Sequence, residues 1–138
     1  NDSVKKELLK YQAVACEKKE ETEEAAKIYT EILQLETKTG DREELYKKIA
    51  QLYETAGRRD LSIDTCIQGI KELKESQELK LQHIRLMCSD AAVSREACGM
   101  QIKEYLETDE KILENEAFQK LQKEYEIKVE GEEVWVGR

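Results

Sequence analysis

The sequence predicts an all-α chain: a stack of antiparallel helix pairs closed by one more helix and a short β-hairpin. Three observations carry that expectation. Proline is absent and glycine occurs only six times in 138 residues, whereas all-β domains punctuate their strands with turn residues far more often. Residues of high helix propensity, chiefly Leu, Ala, Glu, Lys and Gln, dominate the chain. Apolar positions recur at spacings of three and four in a background that is 39% charged, the pattern of amphipathic helices with wide solvated faces.

The first helix is expected from Ser3, as its cap, to about Lys19. Val4, Leu8, Tyr11 and Ala15 fall on one side of it, and Leu9, Ala13 and Cys16 widen the apolar stripe. A second helix begins near Thr22, carries Ala25, Ile28, Tyr29, Ile32 and Leu33, and stops before Gly40. Asp41 to Glu44 has the spacing of a capping box and opens a third helix bearing Leu45, Tyr46, Ile49, Leu52 and Tyr53. Gly57 ends that helix. Asp60 caps a fourth, whose inward face is Ile63, Cys66, Ile67, Ile70 and Leu73. A fifth spans about Gln77 to Asp90 with Leu81, Ile84 and Cys88 inward, and a sixth after Ser94 carries Ala97, Cys98, Ile102, Tyr105 and Leu106. Ile112 and Leu113 mark a helical turn. A seventh helix, about Glu116 to Tyr125, presents Phe118, Leu121 and Tyr125. Two alternating runs, Ile127 to Val129 and Val134 to Val136, flank a glycine turn and predict a hairpin. The expected organisation is therefore a helical domain over 1–126 and a tail over 127–138 packed on it, since a lone hairpin is marginal in water.

The odd-numbered helices align as repeats. Leu9, Tyr46 and Leu81 correspond, at separations of 37 and 35 residues (9 to 46, 46 to 81), and Cys16, Tyr53 and Cys88 keep the same intervals. In the even-numbered helices Ala25, Ser62 and Cys98 correspond as small residues. This pattern resembles the tetratricopeptide repeat, whose period is about 34 residues. The middle repeat matches best. Tyr46, Ile49, Ala50 and Tyr53 stand in the family's bulky, aliphatic, small and aromatic positions, Gly57 in its turn, and Ser62, Cys66 and Gly69 on its second helix. Cys66 stands where the family has an aromatic, Arg85 where the third repeat needs a small residue, and the family's proline is absent throughout. The resemblance covers about residues 6 to 106. It implies a right-handed superhelical stack of three pairs with a solvating cap after it. The helix-and-hairpin ending is similar in style to C-terminal regions of some bacterial serine/threonine protein kinases. That likeness implies that the chain is part of a larger signalling protein.

In the family the first helix of each pair lines a concave, partner-binding side. The resemblance thus implies a groove formed by Lys10, Val14, Glu17 and Lys18, by Glu44, Lys47, Gln51 and Glu54, and by Gln82, Leu86 and Ser89. Val14 and Gln51 stand where some members use asparagines to hold a peptide carboxylate, so that clamp is not reproduced. A protein or peptide segment carrying both signs of charge is the expected partner. Trp135, the only tryptophan, is expected to cover Phe118 or Leu121, or else to serve as a binding anchor. The alternative role is structural: a spacer, or a self-association domain pairing through its hairpin. Oligomeric state is left open.

No reactive constellation emerges, so the expectation is a binding protein and not an enzyme. The one histidine, His83, is expected on a solvent-exposed helical surface. Cys88 is five residues from it, about 500° of turn and so about 140° away around the helix. The chain has no phosphate-binding glycine loop, zinc spacing or calcium loop, so no cofactor or metal is expected. Cys16, Cys66, Cys88 and Cys98 read as small apolar residues in a reducing cytoplasm. A net charge of -8 opposes nucleic acid and anionic membranes, and no apolar run approaches the ~20 residues of a membrane span.

Overall fold

The structure, a computed structural model, describes all residues from Asn1 to Arg138. Seven α-helices follow one another: α1 (Asp2–Lys18), α2 (Thr22–Leu35), α3 (Thr39–Thr55), α4 (Arg59–Glu72), α5 (Gln77–Cys88), α6 (Arg95–Thr108) and α7 (Glu116–Tyr125). A 3-10 turn, Glu110–Glu114, precedes α7, and the strands β1 (Ile127–Glu130) and β2 (Glu133–Val136) end the chain. The fold is all-α with a short hairpin tail. No helix is long and apolar enough to cross a membrane. The chain divides into two compact units, Asn1–Leu79 and Lys80–Arg138. Within the second unit β2 packs on α6 and β1 on α7.

In the first unit α1 packs on α2, α2 on α3 and α3 on α4. Small residues set these close approaches. Ala13, Ala25, Ala26, Ala50 and Ser62 are fully buried, and the Ser62 hydroxyl donates to the Ala50 carbonyl at 2.6 Å, fixing α4 against α3. A Cβ on Gly69 would lie 2.8 Å from Cδ1 of Leu79 and 2.9 Å from Cγ of Tyr46, so any side chain there forces its neighbours to shift. Gly57 takes φ +78 in the α3–α4 turn, a left-handed geometry that glycine adopts without strain. Tyr46 is buried and Tyr53 half-buried in the core they share with Leu33, Ile49 and Leu52.

Several helix starts differ from expectation. Asn1, not Ser3, caps α1, its side chain accepting from the Val4 amide at 3.0 Å. Thr22 and Asp60 lie inside their helices, behind Glu21 and Arg58, which make no side-chain cap. Gly40 and Asp41 lie in the first turn of α3, which starts at Thr39. The chain turns at α2–α3 by another device. Glu36, buried at the end of α2, accepts from the amides of Thr37 (3.0 Å) and Lys38 (3.2 Å). The missing glycine after α1 is replaced by Glu20 at φ 60.

Arg42 ties three elements of this unit together. Its guanidinium grips both Glu72 oxygens, at 2.6 and 2.8 Å, and donates to the Leu33 and Glu36 carbonyls that α2 leaves open at its end. Tyr46 donates to the same carboxylate at 2.8 Å. The Arg42 hydrogen bonds come first among the causes that hold the Glu72 carboxyl down at about 2.

The second unit is built differently. α5 and α6 approach each other less closely than the helices of the first unit do. The space between them is filled by His83 and Tyr105, whose rings meet edge-on with centroids 5.8 Å apart. The Lys80 ammonium lies 6.0 Å from the Tyr105 ring centroid, on a lysine that is itself buried. The hairpin turns at Gly131, φ +58, with Glu130 paired to Glu133, the geometry of a two-residue primed turn. A Cβ on Gly99 of α6 would sit 3.0 Å from the Val134 carbonyl oxygen, so bare helix backbone abuts β2. Ile112, Phe118 and Ile127 are buried in this unit.

Candidate partner-binding surface

The face expected to bind is built in the first unit from α1 and α3. Their residues Lys10, Val14 and Glu17, and Glu44, Lys47, Gln51 and Glu54, recur every three or four positions, so each set shares one side of its helix. Lys10 and Glu44 line one cleft of about 370 Å³, with Tyr29, Ile32, Glu36, Asp41, Leu45 and Lys48. At Glu17 the carboxylate accepts from the Tyr29 hydroxyl at 2.6 Å and from Lys48 at 2.7 Å. Burial alone would raise that carboxyl, but the Lys48 and Tyr29 hydrogen bonds outweigh it and hold Glu17 below its ordinary value. The Tyr29 phenol is pushed up, by burial first and then by Glu17.

Lys47 is an ion-pair node. It bonds Glu44 at 3.2 Å and also pairs with Glu78, and the Glu43, Glu44 and Glu78 carboxylates lie within 4.8 Å of one another. The hydrogen bond to Glu78, foremost, raises the Lys47 ammonium above its ordinary value. Gln51 is exposed, and Val14 is open to solvent at the edge of the face.

Three expected groove residues lie in the second unit, and Ser89, just past the end of α5, is exposed. Gln82 is half-buried on α5, but Leu86 is wholly buried and lines no open surface. His83 is also a correction. It is buried, and its Nδ1 shares a 2.6 Å hydrogen bond with the Tyr105 hydroxyl. The cause is common to both. Leu79, Lys80, Leu81, His83, Ile84, Leu86 and Cys88 are all buried, so α5 is enclosed on nearly every side and has no broad solvated face. Burial depresses the His83 imidazole below its ordinary value and keeps it neutral. No cysteine is disulfide-bonded, and the Cys88 thiol is pushed up to about 12 by burial and by neighbouring Cys98.

Trp135 does not cover Phe118 or Leu121. It pairs across the hairpin with Lys128, is 47% exposed, and lines a cleft of about 410 Å³ with Met100, Lys103 and Glu133. The strand packed on α7 is β1, whose Ile127 is buried. Sequence reading missed that Trp135 and Met100 line one cleft. Both are large apolar residues at positions the repeat pattern does not use, which was the available signal.

Comparison with protein-family models, with curated proteins and with solved structures finds no match. The tetratricopeptide likeness therefore rests on the residues alone.

Proposed function

We propose that this chain is a protein-interaction module whose α1–α3 face holds an extended or helical segment of a partner protein, with tetratricopeptide-like repeats as its scaffold. The observation that carries the reading is the cleft containing Lys10 and Glu44. It sets aliphatic and aromatic floor residues, Ile32, Leu45 and Tyr29, beside carboxylates and ammoniums of both signs. A mixed segment with an apolar anchor fits that lining. The burial of His83 and the suppressed thiolate of Cys88 support a non-enzymatic role. Four unbridged thiols suit a reducing, cytoplasmic setting. The likeness of the tail to kinase-attached regions supports a regulatory place in a larger signalling protein.

Affinity capture from extracts of the source cell tests the reading, with the chain and its Lys10→Glu and Gln51→Arg variants run side by side. The expected result is a protein retained by the chain and reduced at least tenfold by the variants. A partner retained equally by all three removes this face.

A further inference from the structure

α1 carries two apolar faces. Leu9, Ala13 and Cys16 turn inward, and the first two are buried. On nearly the opposite side, Val4, Leu8 and Tyr11 are 58%, 59% and 70% exposed, followed by exposed Ala15. These four fall within a strip about 60° wide at 100° per residue. Single exposed apolar side chains are ordinary, but a contiguous stripe along a helix marks an interaction surface.

We propose that this stripe pairs with the same stripe of a second copy, α1 against α1 in antiparallel orientation. The spacing is its own mirror image: four, three, four. A two-fold axis between Leu9 and Lys10 therefore sets Leu8 of one copy on Tyr11 of the other, and Val4 on Ala15, large beside large at the centre and medium beside small at the ends. The flanks are compatible. Lys5 meets Gln12 and Glu7 meets Val14, with no like charges opposed. α1 itself balances Lys5, Lys6, Lys10 and Lys18 against Asp2, Glu7 and Glu17, so two copies of a chain of net charge -8 meet without adding acid to acid. One helix of 17 residues buries less than the ~1,200 Å² of a standard interface. The dimer is accordingly weak, with a dissociation constant on the order of 100 µM. The centre of this contact, Leu8 and Tyr11, lies outside the proposed groove, and the two surfaces share only Val14 at the flank.

Sedimentation equilibrium of the full chain from about 5 to 500 µM tests the proposal. The expected result is a reversible monomer–dimer equilibrium, weakened at least tenfold by Leu8→Glu with Tyr11→Glu and unchanged by Trp135→Ala. Circular dichroism checks that the double variant keeps its helix content. A second measurement does not depend on that variant. Chains with Val4→Cys mixed with chains carrying Ala15→Cys should form the mixed disulfide under mild oxidant, while Val4→Cys alone should not, its thiols lying about 16 Å apart along the axis. A monomer at every concentration overturns the proposal. So does a dimer insensitive to the double variant, or a Val4→Cys homodisulfide.

Discussion

The first unit packs by contact and the second by filling. In Asn1–Leu79, alanines, Ser62 and Gly69 let each helix lie directly on the next, and the Arg42–Glu72–Tyr46 network ties the helix ends. In Lys80–Arg138, the buried Lys80 and His83 of α5 meet Tyr105 of α6 through polar and ring contacts. A 3-10 turn, α7 and a hairpin then complete the core. The contrast shows how side-chain volume where two helices meet sets how closely they pack.

The largest expected effect tests whether the two units are separable. Phe118→Ala removes a wholly buried ring and should cost about 3–5 kcal/mol. Hydrogen exchange should show protection lost over 80–138 and retained over 1–79. Equal loss in both would join them into one cooperative body. Gly69→Ala tests close contact in the first unit. Its Cβ meets the Tyr46 ring at Cγ, which cannot swing away, so denaturant unfolding should show a loss of about 1–3 kcal/mol despite alanine's better helix propensity.

Acid should take the units apart in order. His83 has a folded pKa below its ordinary 6.5, so the unfolded chain binds the proton more tightly. The second unit keeps this contribution above pH 6.5 and loses it as pH falls below that value. Glu72, lowered from 4.5 to about 2, contributes above pH 4.5 and is lost between 4.5 and 2. Nuclear magnetic resonance of the amides should therefore show residues 80–138 loosening first, and His83→Gln should erase the early step. The smallest effect is local. Glu20→Gly relieves a left-handed backbone and should stabilise the first unit by up to about 1 kcal/mol in the same denaturant assay.

Helix order and type were legible because period and propensity agree along nearly the whole chain. Tyr46, Ala50, Ser62 and Gly69 lie where helices pack closely, and Gly57 lies in the α3–α4 turn. Helix starts were less legible. Asn1, Glu20 and Glu36 do their work through backbone geometry that the usual Ser, Thr or Gly signals do not announce. The Arg42 node joins residues 30 apart, and no local pattern encodes such a partnership. His83 and Leu86 were misplaced because α5 looks amphipathic yet is enclosed. On α1 the periodicity was read correctly, but periodicity alone could not tell which of two apolar faces turns inward.

The central claim is that the α1–α3 face of the first unit holds a partner segment. Hydrogen exchange of the chain with and without a captured partner addresses it directly. The account predicts new protection over 10–17 and 44–54. Protection confined to 95–103 and 133–136, around Trp135, would contradict it.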